Sequence, residues 1–186
     1  MKLIPYGRQF INQSDINWVS SSLKNDLITT GKNVEKFELK NTKFLKAKFA
    51  LSCSNGTAAL HLAFCAIRLK KNDNIIMPSI NFISAYNMAS NIGANIYLAD
   101  VDSKTGQMTP ETLLDCINKF KLKKIKTILT MYMGGYPENI LEFNRIKKKY
   151  KSILIEDACH AFGAEYYVGN KFYKVGSCNH SDIATF

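Results

Sequence analysis

The chain of 186 residues has no apolar run approaching the ~20 residues a membrane-spanning helix needs. Its first residues, Met1 to Arg8, hold no apolar stretch long enough for a signal peptide. Membrane and secreted classes are therefore disfavoured, and a cytoplasmic location is expected. There is no Cys-x-x-Cys pair: the five cysteines (53, 65, 116, 159 and 178) stand far apart, and only three histidines (61, 160 and 180) accompany them. That pattern fits reduced thiols and gives neither a disulfide framework nor a metal site. No repeat, low-complexity tract or Gly/Ser linker divides the sequence. Acidic side chains are scarce, 15 against 25 basic, for a net charge of +10. The excess raises nucleic acid as a partner. However, the lysines are spread over helix-like stretches, Lys40 to Lys48, Lys119 to Lys126 and Arg145 to Lys151, with no nucleic-acid motif beside them. Solvated helix faces explain such charge, and neither a nucleic acid nor a membrane is expected as partner. An anionic small molecule fits either account.

What is present is a folded domain: 46% hydrophobic and 22% charged residues are ordinary globular values. A strand–helix alternation runs through it. Ser14-Asp15 opens a helix reaching about Asp26, Leu27 to Gly31 is a turn, and Val34 to Lys46 is a second amphipathic helix. Then come a strand over Phe49 to Cys53, a helix over Thr57 to Leu69, a strand over Asn74 to Met77, a helix over Phe82 to Asn91 and a strand over Asn95 to Val101. Thr109-Pro110-Glu111 starts a helix ending near Phe120. Lys126 to Met131 is a strand, Ile140 to Tyr150 a helix and Ser152 to Glu156 a strand. Ala164 to Val168 and Lys171 to Val175 form a hairpin about Gly169-Asn170, and Ile183 to Phe186 begins a last strand. This order predicts an α/β fold, mostly parallel, with helices on both faces. Ligands of such sheets gather at the carboxyl ends of the strands. The chain stops inside an apparent strand, so the expectation is an N-terminal fragment.

Three segments carry chemistry. Ser52-Cys53-Ser54-Asn55-Gly56-Thr57-Ala58-Ala59-Leu60 runs from a strand through small residues into a helix. Free N–H groups and the helix dipole there attract an anion, with Thr57 as an added donor. An ordinary capped helix reads the same way. The run is neither a Walker A loop nor a G-x-G-x-x-G fingerprint. In Ile153-Leu154-Ile155-Glu156-Asp157-Ala158-Cys159-His160 an apolar strand delivers two carboxyl groups to its end, followed by a histidine. Such a carboxylate can hold a protonated ring nitrogen or orient an imidazole; a surface acidic pair and a core histidine are the plain alternative. Pro78-Ser79-Ile80-Asn81-Phe82 follows a strand, and Phe82 is either core or a flat platform for a planar ligand.

Taken in order, Gly56-Thr57-Ala58-Ala59-Leu60, Pro78-Ser79-Ile80-Asn81-Phe82, Gly135-Tyr136-Pro137 and Glu156-Asp157-Ala158-Cys159-His160-Ala161-Phe162-Gly163-Ala164 resemble the DegT/DnrJ/StrS-type sugar aminotransferases. These are pyridoxal-phosphate enzymes of the aspartate-aminotransferase fold (fold type I). The opening, Ile4-Pro5-Tyr6-Gly7-Arg8-Gln9 with Asp15-Ile16 and Leu27-Ile28-Thr29-Thr30-Gly31, is similar to a narrower branch, the UDP-sugar 4-aminotransferases of pseudaminic-acid synthesis. The resemblance spans the chain but only about the first half of a complete member. It implies a large domain over 49–186, preceded by an N-terminal helical segment over 1–48, without the family's small domain.

The resemblance also implies roles. Gly56, Thr57 and Ala58 match the turn that holds the cofactor phosphate, Phe82 the aromatic stacked on the pyridine ring, and Asp157 the aspartate paired with the pyridine nitrogen. His160 stands near the cofactor's phenolic oxygen, where many members carry glutamine. Tyr6, Asp26, Leu27, Ile28 and Thr29 match segments lining the nucleotide-sugar pocket. Tyr136 before Pro137 is a departure, where smaller or amide residues are usual. The family continues past Asp182-Ile183-Ala184-Thr185-Phe186 into a Ser-Phe-His-x-x-Lys-like run whose lysine forms the Schiff base, and no lysine here occupies that position. The implied activity of a complete member is amino transfer from an amino acid, glutamate by expectation, to C4 of a UDP-4-keto-6-deoxy sugar, in a homodimer. The fragment itself is expected to be inactive. A sugar dehydratase-like relative and a non-enzymatic basic α/β binding module are the alternatives.

Overall fold

The computed structural model describes residues 8–186. Its centre is a five-stranded parallel sheet in the order β2-β1-β3-β4-β7, made of β1 (Asn74–Pro78), β2 (Asn95–Ala99), β3 (Thr127–Met131), β4 (Ile153–Asp157) and β7 (Ile183–Thr185). A separate antiparallel hairpin joins β5 (Glu165–Val168) to β6 (Lys171–Lys174). The helices are α1 (Gln13–Ser22), α2 (Lys32–Leu45), α3 (Gly56–Ala66), α4 (Ser84–Ile92), α5 (Pro110–Lys119) and α6 (Ile140–Tyr150). The expected α/β class, with a mostly parallel sheet covered on both faces, is what the chain adopts.

Strand parity builds the two cores. Ile76, Ile128 and Leu154 point to the face covered by α5 and α6, where they meet Leu113, Ile117, Phe143 and Ile146. Ile75, Met77, Leu129 and Ile155 point to the other face and meet Leu60, Phe64, Ala85 and Ala89 of α3 and α4. Every residue of β3 is buried, which explains its unbroken apolar run. Each fully buried Ile or Leu of these strands contributes roughly 1.5–3 kcal/mol. The register pairs Thr130 with Glu156 and Met131 with Asp157. Asp157 therefore shares the face of α3, and Glu156 the opposite one.

Local signals set most boundaries. The Thr109 side chain caps α5 and Pro110 takes its first position, as the sequence implied. In α1 the cap is Asn12, two residues before Ser14, with Asp15 completing a capping box; the helix ends at Ser22, short of Asp26. α4 begins at Ser84 and not at Phe82, because the Asn81 side chain takes the Phe82 N–H at 2.7 Å and holds that residue in the preceding loop. Phe49 to Cys53 is a correction: the segment forms no strand, since among the described residues no neighbouring strand pairs with it, and Phe49 and Leu51 stand exposed. α1 buries none of its residues and α2 only Leu45. α2 is fastened to the segment leading into α3 by Glu38, whose Oε1 accepts from the Ser52 N–H at 2.8 Å and hydroxyl at 2.9 Å. Those two bonds, the backbone one foremost, hold the Glu38 carboxyl below its ordinary range. Among the described residues no helix is long and apolar enough to cross a membrane.

Candidate functional site

The carboxyl ends of β3 and β4 and the amino end of α3 enclose a cavity of about 380 Å³. That size lies in the range of small-molecule sites. Asn55, Gly56, Thr57, Phe82, Ser84, Met131, Asp157, Cys159 and His160 line it.

One wall is the first turn of α3. Asn55, in extended backbone, caps the helix: its Oδ1 accepts from the Ala58 N–H at 2.9 Å. The cap uses the N–H of Ala58, and Ala58 does not line the cavity. Gly56 and Thr57, earlier in the turn, have N–H groups with no possible acceptor inside the helix. The wall is closely built: a Cβ at Gly56 would lie 2.8 Å from Cys159 Sγ, so any larger residue would require the cysteine side chain to shift. Backbone thus forms the surface that an anionic group would meet.

Asp157 ends β4 and is 3% exposed. Its Oδ1 accepts a long, 3.4 Å bond from the Cys159 N–H. The Cys159 thiol is pushed up to about 12, first by burial of the sulfur and then by the Asp157 carboxyl beside it. Phe82, 67% exposed, presents its ring at the cavity. His160 stands on the turn after β4. That turn is possible because Gly135, at φ 83°, packs its α-carbon against the His160 carbonyl, where a side chain would collide with it.

Of the residues singled out from the sequence, Gly56, Thr57, Phe82, Asp157 and His160 converge on this cavity. Asp26, Leu27, Ile28 and Thr29 lie exposed between α1 and α2, and none lines it. Tyr6 lies outside the described residues. The cavity also uses Asn55, Ser84, Met131 and Cys159. Met131 is detectable as a strand-end residue and Cys159 as part of the turn after β4, whereas nothing in the local sequence marks Ser84. Among the described residues no group of three or more His, Cys, Asp or Glu side chains is placed to hold a metal ion.

A parallel α/β sheet with a helix amino end, an aromatic face and a buried carboxyl round one cavity is the architecture of fold type I pyridoxal-phosphate transferases. The chain belongs to the DegT/DnrJ/EryC1/StrS aminotransferase family, whose model matches residues 9–186. It is 32% identical over 173 residues to an uncharacterized protein of Methanocaldococcus jannaschii, covering 93% of this chain and 44% of that protein. Among solved structures it resembles the aminotransferase from Psychrobacter cryohalolentis, with 28% identity, a TM-score of 0.81, and coverage of 92% of this chain and 42% of that one. It also resembles NtdA from Bacillus subtilis, solved with pyridoxamine phosphate bound, with 25% identity, a TM-score of 0.73, and coverage of 82% and 35%. The chain spans less than half the length of these relatives.

The residues fit the family's cofactor. A planar phosphorylated pyridine asks for anion-binding backbone, a flat apolar contact and a carboxyl to pair with its ring nitrogen. The cavity offers the first at Gly56 and Thr57, the second at Phe82 and the third at Asp157.

Proposed function

We propose that this chain supplies the cofactor-binding part of a sugar aminotransferase that moves an amino group from an amino acid, glutamate, to C4 of a UDP-4-keto-6-deoxy sugar. Such a step belongs to amino-sugar synthesis for surface polysaccharide or flagellin glycans, with pseudaminic acid as the specific branch. The observation that carries the reading is the convergence of Gly56, Thr57, Phe82, Asp157 and His160, distant in sequence, on one cavity. The domain reading is an N-terminal segment, 1–48, followed by the cofactor domain over 49–186.

When bound, pyridoxal phosphate supplies an electron-withdrawing ring that stabilises a carbanion at the amino-acid α-carbon. This chain's residues prepare the site for it. The Gly56 and Thr57 N–H groups and the α3 dipole take the phosphate. Phe82 fixes the ring plane by face contact. Asp157 holds a proton on the ring nitrogen, because an adjacent carboxylate favours the charged form of a base. His160, which lines the cavity from the turn beyond β4, would lie beside the bound ring. The exposed Asp26 to Thr29 segment, with Tyr6, serves the nucleotide-sugar, and the complete protein works as a homodimer with sites at the subunit boundary.

Titration of the purified chain with pyridoxamine phosphate tests the cofactor assignment without requiring a covalent link. Saturable binding, with dichroism induced in the pyridine absorption band, is expected, and no spectral response would overturn it. A complete protein carrying residues 1–186 should convert UDP-4-keto-6-deoxy sugar and glutamate to the 4-amino sugar and 2-oxoglutarate, resolved by mass. A product dehydrated and without nitrogen would replace transamination with the dehydratase reaction.

A further inference from the structure

On the face of β4 opposite the cavity lies a buried polar pair that the proposed chemistry does not use. Strand parity puts Glu156 beside Leu154, on the face whose neighbouring positions are Ile128 and Ile76. Glu156 and Tyr132 are each 2% exposed. The Tyr132 hydroxyl donates to Glu156 Oε1 at 2.7 Å. The Ser181 side chain and the Gly176 backbone also favour the charged form of this carboxyl. A buried carboxyl is costly to desolvate, and an apolar pair of similar volume would pack there as stably. What the polar pair adds is direction, since a hydrogen bond selects one register and one side-chain orientation.

Tyr132 is the first residue past the last register pair, Met131 with Asp157. It holds the end of β4 at two points. Its N–H donates to the Asp157 carbonyl at 3.3 Å, and its hydroxyl reaches the preceding residue, Glu156. Its own carbonyl accepts from the Gly135 N–H at 3.0 Å, which starts the turn that packs beneath His160. From the other side Thr185 completes the clamp: its carbonyl accepts from the Ala158 N–H at 2.8 Å and its hydroxyl donates to the Glu156 carbonyl at 3.3 Å. The Asp157 side chain, by contrast, has a long bond to the Cys159 N–H. The aim of its carboxyl is therefore governed chiefly by the backbone beneath it.

We propose that Tyr132 is a positioning residue for the site: by gripping Glu156 and Asp157 together from the far face of the sheet, it fixes the direction in which the Asp157 carboxyl enters the cavity. The inference rests on the cofactor reading of that cavity. It assigns the Tyr132–Glu156 pair no contact with any ligand.

The test uses the whole chain and pyridoxamine phosphate, with thermal unfolding, the dissociation constant and the induced dichroism read on each variant. Tyr132→Phe removes only the hydroxyl. It should keep a cooperative transition yet bind at least fivefold more weakly, with induced dichroism reduced by half or more. Glu156→Leu should do the same, and Glu156→Gln, which keeps an acceptor for Tyr132, should restore binding to within twofold of wild type. A merely structural role would lower the melting temperature and leave the affinity and dichroism of the folded protein unchanged; that result overturns the inference. If Tyr132→Phe does not fold, the Leu and Gln variants of Glu156 are read by the same thresholds, and equal binding by the two overturns it. Wild type that fails to bind removes the cofactor reading and the inference with it. Wild type that binds, with dichroism altered in Asp157→Asn and unaltered in Tyr132→Phe, removes the inference alone.

Discussion

Replacing Gly56 by alanine would set a methyl group 2.8 Å from Cys159 Sγ, while the next nearest atom, the Phe186 carbonyl oxygen at 3.7 Å, stays at ordinary contact. Two effects oppose each other in stability. Alanine is favoured over glycine by up to about 1 kcal/mol inside a helix, and by less in a first turn. Turning the Cys159 side chain off its rotamer costs about 0.5–1.5 kcal/mol, and a rigid neighbour would raise that to about 1–3 kcal/mol. Because Cys159 is solvent-accessible, it can move, and the lower figure applies. The expected net change in stability is within about 1 kcal/mol. Binding should change more, since the methyl group and the displaced sulfur take room from a cavity that both residues line. A tenfold weakening of pyridoxamine phosphate affinity, about 1.4 kcal/mol, is expected by isothermal titration calorimetry. The double variant Gly56→Ala with Cys159→Ala removes the collision and should recover most of that loss. Wild-type affinity in Gly56→Ala, or no recovery in the double variant, would refute the claim that Cys159 closes this wall on a bare backbone.

Two further outcomes follow from the shifted carboxyl of Glu156 and thiol of Cys159. Burial, opposed by hydrogen bonds from Tyr132, Ser181 and Gly176 and by the charge of Lys147, raises Glu156 above its ordinary 4.5. The unfolded chain therefore ionises first as pH rises past 4.5, and this carboxyl's contribution to stability falls from there until its folded pKa is passed. Glu156→Gln lacks that penalty, so its melting temperature should gain on wild type above this pH, with no pH-dependent gain below it; a gain independent of pH would contradict the sign. The Cys159 thiol, pushed up to about 12, should alkylate slowly near pH 8. Its thiolate fraction is ~10³ lower than that of free cysteine, partly offset by greater nucleophilicity, giving roughly hundredfold slower reaction with iodoacetamide. Mass-resolved labelling at Cys159 as fast as free cysteine would show that the sulfur is not shielded.

Much of the fold is legible because its signals are local. The apolar run of β3 is a strand buried at every residue, that of β4 is one buried from Leu154 onward, and Thr109-Pro110 is a cap with a preset backbone. Ile140–Tyr150 is a helix with the bounds its periodicity implies. Phe49 to Cys53 misleads because a strand is a property of pairing: a run of apolar residues does not make one without a neighbour. The start of α4 shifts because a side chain, Asn81, competes for a backbone N–H. In the site, Asp157 is legible as a carboxyl at the end of an apolar strand, and Gly56 and Thr57 as a helix amino end among small residues. Asn55 shows why Ala58 stands apart, since the cap uses its N–H. The Tyr132–Glu156 contact is not legible, because residues 24 apart in sequence meet only through the register of β3 on β4.

The central claim is that Asp157 keeps a proton on the ring nitrogen of the cofactor. It is tested most directly by the ¹⁵N chemical shift of ring-labelled pyridoxamine phosphate bound to the chain, at a pH where the free compound's ring nitrogen has lost its proton. In wild type the nitrogen should report the protonated form, and in Asp157→Asn, with cofactor still bound, the neutral form. The same shift in both would contradict the account.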